Sequence, residues 1–432
     1  MADQITNYKC PACSGPLHFA AKSGNMECEF CGSSYSVQEI EATYAEADAK
    51  AAQAKAEADG NKPVAEDEWS VTQEQWNSEG MKSYSCPSCG ATLLCDDNLA
   101  ASSCPYCGNP TVVPGQFTNT LKPDFVIPFK LEKDDALQAL KKHYGKRYLL
   151  PQAFKNAGHL DEVKGVYVPF WLYDGKAYGD CVYEAEKSET KRQGNEEITT
   201  KEIYQVERKG TLEFSKIPAD ASTKMNDNLM ESIEPYKYED LKPFSKAFLT
   251  GYMADRYDVE AKDNAPRAIK RAKESTKNAL HNDVKGYTSV KTKTENIKVQ
   301  QGKAYYAMLP VWLLTTRWNG NNYTFAMNGQ TGKMVGDLPV NKPKMWITII
   351  AVFAAIMLAT MFGAKWAVGG CLVASFIVAG IVGIILANSM RSVSHATAAN
   401  NYITEDGVNI THRKDTFLRK DQTKKAINTG NK

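Results

Sequence analysis

The signatures of several enzyme classes are missing from this 432-residue chain. No GxxxxGK[ST] loop is present to cradle phosphates, because Gly145-Lys146, Gly175-Lys176, Gly302-Lys303 and Gly332-Lys333 all lack the following Ser or Thr. HExxH and GxSxG are absent, and none of the six histidines has a second His at metal-ligand spacing. A nucleotide-driven motor, a zincin and a nucleophile-elbow hydrolase are therefore excluded as readings. Net charge is nearly absent too. The 52 basic and 50 acidic residues leave +2, which is not the balance of a nucleic-acid polycation. The opening MADQITNYKC has no charged-then-apolar signal, so an oxidising compartment and four disulfides are not expected.

Charge is also missing locally. Residues 346–362 (WITIIAVFAAIMLATMF) and 368–387 (VGGCLVASFIVAGIVGIILA) contain no ionisable Asp, Glu, Lys or Arg, and only Gly363 to Ala367 separate them. Each approaches the ~20 residues a membrane-spanning helix needs. Neither keeps the polar stripe of a soluble core helix. A two-helix transmembrane hairpin is expected, with Gly380, Gly383, Gly369, Gly370 and Ala374 allowing close packing. Lys333, Lys342 and Lys344 before it and Arg391, Arg413 and Lys414 after it outnumber Lys365 in the loop. The positive-inside rule then puts both termini in the cytoplasm at the cell membrane.

What is present is a doubled cysteine frame. Cys10-x2-Cys13-x14-Cys28-x2-Cys31 recurs as Cys86-x2-Cys89-x14-Cys104-x2-Cys107, an offset of 76 residues that also relates Tyr8 to Tyr84, Leu17 to Leu93 and Val37 to Val113. A CxxC turn sets two thiolates on one side, and two such turns joined by a hairpin close a tetrahedral shell around one Zn2+. Three turns begin Cys-Pro and three are followed by Gly (Gly32, Gly90, Gly108), which tolerates positive φ. A rubredoxin-like iron site uses the same four thiolates, and the spacing does not separate the two metals. Four thiolates leave no open coordination position, so the sites are read as structural. Cys95, Cys181 and Cys371 are read as isolated structural thiols, and His18, His143 and His159 as surface or packing residues.

The fold class expected is α+β: two small zinc ribbons, a duplicated α+β body and the C-terminal hairpin. The first ribbon occupies 1–38. An Ala-rich helical spacer and acidic linker follow over 39–80, opened by a capping box at Ser36-Val-Gln-Glu39, with Trp69 and Trp76 as docking points. The second ribbon spans 81–116 and the body 117–340. Within the body Phe125–Phe129 reads as an edge strand because of Pro128, 133–144 and 259–281 as helices, and 165–173, 287–299, 304–318 and 322–328 as strands. Val168-Pro-Phe-Trp-Leu172 is echoed by Leu309-Pro-Val-Trp-Leu313 at an offset of 141. A groove on the two Trp motifs is weighed against a core role, and core is favoured. The hairpin covers 345–390, and 391–432 is expected as a basic polar cytoplasmic tail, disordered or lying at the inner membrane face.

The ribbon pair, IPFKLEKDDALQALKKHY, VYVPFWLYDG and WLLTTRWNGNNYTFAMNGQTGK together resemble bacterial membrane proteins described as TFIIB-type zinc ribbon-containing, some of them mislabelled PriA-like helicases. The resemblance covers nearly the whole chain, although a single ribbon is the simpler pattern. It implies zinc ligation by the eight ribbon cysteines. It also implies a place beside SPFH/flotillin-like and PspA-like proteins in phage-shock operons, where such proteins anchor the SPFH partner. The function expected is therefore a non-enzymatic membrane scaffold with the bilayer and those proteins as partners, open to oligomerisation. A membrane-tethered nucleic-acid-binding or transcription-linked ribbon protein is the alternative.

Overall fold

The computed structural model describes residues 8–52, 69–71, 82–95, 104–107, 109, 113–115, 121–145, 147–152, 154, 163–193, 196–363, 368–394 and 396–426. The chain starts with β1 (Leu17–Ala20), β2 (Asn25–Cys28) and β3 (Ser34–Tyr35), then α1 (Val37–Ala52) and β4 (Ser70–Val71). Next come β5 (Lys82–Ser85), β6 (Thr92–Cys95), β7 (Val113–Gly115), β8 (Phe125–Val126) and α2 (Lys133–Gly145). Two long strands follow, β9 (Lys164–Gln193) and β10 (Glu196–Asp220), then α3 (Asp227–Ser232), β11 (Lys242–Pro243) and β12 (Met253–Asp255). The remainder is α4 (Ala261–Asn282), β13 (Ser289–Trp318), β14 (Asn321–Asn328), β15 (Met334–Val335), α5 (Lys342–Gly363), α6 (Val368–Ser389) and β16 (Ile403–Ala426).

The centre of the body is the antiparallel pair β9 and β13. Both read as near-continuous apolar runs where they meet, because both faces of the sheet are covered. Tyr167, Trp171 and Tyr173 of β9 join Tyr306, Met308 and Trp312 of β13 on one face. Val166, Val168, Phe170 and Leu172 join Leu309, Val311 and Leu313 on the other. Trp171 is fully buried and Trp312 is 6 % exposed, so the repeated motif builds core, not an open groove.

The echo at Trp171 and Trp312 extends to the contacts around it. Short β12 runs parallel to β9 through Val166 and Tyr167, and short β8 runs parallel to β13 at the equivalent Ala307 and Met308. Trp171 Nε1 donates to Val259 O at 2.9 Å, just before α4. Trp312 Nε1 donates to Leu131 O at 3.1 Å, just before α2. Tyr257 stands edge-on to Trp171, as Phe129 does to Trp312. Two β-α-β units therefore face each other about a pseudo-dyad, each lending its short strand to the other's long one. This arrangement also corrects the edge assignment at Phe125–Phe129: β8 is only two residues long and lies between β11 and β13. Pro128 is tolerated because it falls just beyond the ladder.

The polar segment after Met390 departs most from expectation. Instead of a disordered tail, residues 403–426 form β16, paired antiparallel along β10 from Ile403 to Ala426. At a sheet edge nearly all its side chains face water, so the alternation that marks a half-buried strand is lost. Register shifts beside Ile203/Tyr204 and Lys209/Gly210 break the edge further. Its approach is fastened to the body. Ser394 N donates to Ser232 Oγ at 2.7 Å, Ala399 N to Ser275 Oγ at 2.7 Å and Tyr402 Oη to buried Glu234 at 2.7 Å. Glu234 in turn receives both terminal nitrogens of buried Arg271 at 2.6 and 3.1 Å.

Helices α5 and α6 form a hairpin that stands off the body, with Phe353 against Phe376 and Gly383 against Ile349. The buried line on α6 is Ser375, Ala379 and Gly383, one residue per turn, whereas Gly380 faces outward with no neighbour within 4 Å. The packing stripe is thus set one turn by Gly383 but not by Gly380. Side chains at 368–371, including Cys371, lie outside the described residues. Among the described residues Lys342–Ala359 is one stretch long and apolar enough to cross a membrane, and Leu372–Asn388 is apolar but shorter.

Candidate metal centres

Each ribbon brings its four cysteines together. The sulfurs of Cys10, Cys13, Cys28 and Cys31 all lie within 4.8 Å of one another, as do those of Cys86, Cys89, Cys104 and Cys107. Cross-turn pairs are 3.5 Å apart in the first group (Cys10–Cys31, Cys13–Cys28) and 3.6 and 3.7 Å in the second (Cys86–Cys107, Cys89–Cys104). A tetrahedral ZnS4 centre with ~2.3 Å bonds puts its sulfurs about 3.8 Å apart. The donor set and spacing therefore fit zinc, and no oxygen or nitrogen ligand is needed to complete either shell.

The turns show why the sequence folds this way. Gly32 N donates to Cys28 O at 2.9 Å and Gly90 N to Cys86 O at 2.8 Å, each Gly at φ +71°. Ser14 makes the equivalent bond to Cys10 O at 2.8 Å with φ +61°, so the first turn accepts a strained Ser where the others have Gly. Thiol acidity is pulled in both directions within each group. Cys31 is lowered to about 6 by the hydroxyl and backbone N–H of Ser33. Burial pushes Cys89 up to about 11. At Cys86 burial also pushes up, but the N–H groups of Cys89 and Ser88 outweigh it and hold the thiol at about 7. Metal binding to such a mixed set releases protons. Tyr35 Oη lies 3.8 Å from Cys10 Sγ, and Asn109 Nδ2 lies 3.9 Å from Cys86 Sγ.

The two centres are mounted differently. In the second ribbon β6 pairs with β12 at Leu94 and Leu93, so its sheet is continuous with the body's. Tyr106, inside the Cys104–Cys107 turn, is buried and donates from Oη to Asp255 Oδ2 at 2.7 Å. Thr315 Oγ1 lies 3.0 Å from the carbonyls of Pro105 and Tyr106. Burial drives the Asp255 carboxyl up to about 7. The first ribbon keeps its own three-stranded sheet. It leans on the body through Phe19 against Phe248 at 5.3 Å and Lys22 to Glu132 at 2.6 Å. Phe30, the counterpart of Tyr106, is 77 % exposed. The anchoring pair Tyr106 and Asp255 was not legible in the sequence, since nothing local links positions so far apart.

Among the described residues the remaining candidates assemble no reactive group. His18 lies 3.9 Å from Glu29 on the first ribbon. His143 is half-buried with its pKa lowered by burial, and Nε2 is 3.0 Å from Gly336 O. Cys95 and Cys181 are buried in strands. The capping box forms, with Ser36 N to Glu39 Oε2 at 2.8 Å and Glu39 N to Ser36 Oγ at 3.1 Å. Trp69 docks edge-on to Tyr173. His159 and Trp76 lie outside the described residues.

Comparison with known proteins places these features. Residues 9–39 match the model for Trm112p-like proteins, so the first ribbon is a Trm112p-like zinc-ribbon domain. Over 361 residues the chain is 34 % identical to "Uncharacterized protein YdjG" of Bacillus subtilis (strain 168), covering 83 % of this chain and 98 % of that protein. The chain belongs to the YdjG family. That relative's own description assigns no activity. No solved structure matches.

Proposed function

We propose that this YdjG-family protein is a non-enzymatic scaffold, held at the cell membrane by the α5–α6 hairpin with both termini in the cytoplasm, that presents its first ribbon to a protein partner. The observation that carries this reading is the pairing of an apolar hairpin, exposed on its outer side, with a ribbon that keeps its own sheet and leaves Phe30 in the open. Ile350, Phe376 and Ile384 are 62, 68 and 63 % exposed, a surface that water does not tolerate and lipid does. The two four-thiolate groups hold structural Zn2+ in this account. The resemblance to TFIIB-type zinc ribbon membrane proteins names the partner class as an SPFH/flotillin-like or PspA-like protein of the phage-shock type. The paired charges on the outer face of the long strands, Lys176–Glu213, Lys209–Asp180 and Lys293–Glu184, disfavour nucleic acid as the partner.

Affinity capture from detergent-solubilised membranes tests the reading. The full chain should be carbonate-resistant and recover an SPFH- or PspA-like protein. A chain lacking residues 1–68 should stay folded and membrane-bound but lose that partner. Removing residues 1–115 is unsuitable, because β6 belongs to the main sheet. Failure to recover such a partner with the full chain overturns the proposal.

A further inference from the structure

Where the hairpin meets the body, the loop after α2 and the first turn of α5 are bound together. Asn341 N donates to Leu149 O at 2.8 Å, and the Arg147 guanidinium donates to Ser389 O at the end of α6. Lys344 Nζ donates to Tyr148 O at 2.8 Å and also lies 3.8 Å from the centroid of the Tyr148 ring. Despite these contacts Tyr148 is 55 % exposed, beside Trp346 at 58 % and Ile347 at 68 %.

Two features of this shelf need an explanation. Large aromatic rings are left in the open where the body could have covered them. The cations beside them also cluster without a counter-charge: among the described residues Lys342, Lys344 and Arg391 have no carboxylate within 4 Å, whereas Lys176, Lys191, Lys201, Lys209 and Lys293 on the long strands each have one. The Lys342 side chain makes no hydrogen bond to any described residue, and Lys344 is held by a ring face and a carbonyl, which leave its charge uncompensated. A soluble surface gains nothing from this arrangement. An interface between water and lipid does, because amphipathic rings settle at headgroup depth and unpaired ammonium groups meet lipid phosphates there.

We propose that the Arg147–Tyr148 loop and the base of α5 form a binding shelf for anionic phospholipid, so that the soluble body itself reads the headgroup layer. This rests on the membrane reading above and adds to it. A bare hairpin tethers a body without fixing its tilt, whereas a headgroup contact on the α2 side fixes which face the body turns to the membrane. The first ribbon touches the body near Glu132, at the opposite end of α2 from Tyr148. That helix is ~20 Å long, so the shelf holds the ribbon away from the lipid and toward the cytoplasm.

The test uses the full chain in detergent micelles containing equal phosphatidylglycerol and phosphatidylcholine, with retained lipids counted by native mass spectrometry. Wild type should retain phosphatidylglycerol in clear excess. Lys342→Gln and Lys344→Gln should each cut that excess about five-fold, the effect of ~1 kcal/mol per surface cation. Lys209→Gln, a cation on the remote strands, should leave it unchanged. The Lys342 side chain has no hydrogen bond or ion pair to a described residue, so its variant separates lipid binding from misfolding. No phosphatidylglycerol excess, or an excess indifferent to both variants, overturns the shelf while leaving the hairpin intact. Extraction of the chain by carbonate overturns the membrane reading itself.

Discussion

The two ribbons share one cysteine frame, yet one shares the body's sheet and the other keeps a sheet of its own that packs against the body through side chains. Inside the second CxxC turn of the second ribbon stands Tyr106, buried and bonded to Asp255 at 2.7 Å. At the same place in the first ribbon stands Phe30, in the open. The outer cysteines follow suit: Cys13 and Cys31 are exposed, whereas Cys89 and Cys107 are half-buried. A metal fold of this kind stabilises itself through its thiolates, so the residues between the ligands are free to differ. In one copy they join the ribbon to a sheet and in the other they leave a surface.

This contrast is open to direct attack. The largest effect belongs to the metal. Cys86→Ser with Cys104→Ser should unfold the second ribbon and loosen the body strands joined to it, since structural zinc contributes on the order of 10 kcal/mol and the lost ribbon carries β6 with it. Zinc content should fall from two per chain to one, and the yield of folded protein should drop. Next is Tyr106→Ala, which should destabilise by about 3–5 kcal/mol in chemical unfolding. Phe30→Ala should stay within about 0.5 kcal/mol. An equal cost at both positions would erase the distinction between the ribbons.

Smaller effects sharpen it. Burial raises the Asp255 carboxyl to about 7 in the fold, above its ordinary value. Its contribution to stability is present below about 4 and is lost as the pH rises through about 7. Melting temperature should fall across that window, and Asp255→Asn should flatten the fall. The smallest effect is at Ser14, where φ is +61°. Ser14→Gly should stabilise the first ribbon by roughly 0.5–1 kcal/mol, seen as slower hydrogen exchange at residues 10–15.

Local signals in the sequence served where the structure is locally determined. The cysteine spacing gave both four-cysteine groups, the capping box gave the start of α1, and amphipathic patterning gave α2 and α4. The Trp171/Trp312 echo pointed to a duplicated unit, although not to the exchange of β8 and β12 between the copies, which depends on pairing across 87 residues (253 − 166) and 182 residues (307 − 125). β16 was hidden for a related reason. Its polar side chains report an edge exposed to water, and only the distant β10 supplies its hydrogen bonds. Tyr106 looked like any residue in a CxxC turn because its partner Asp255 lies on a strand of another unit.

The most direct test is hydrogen exchange of the full chain in two variants, Cys10→Ser/Cys28→Ser and Cys86→Ser/Cys104→Ser. The account predicts that loss of the first centre raises exchange only within residues 8–52. Loss of the second should spread through β6 and β12 into β9. Confinement of both effects to their own ribbons would contradict it.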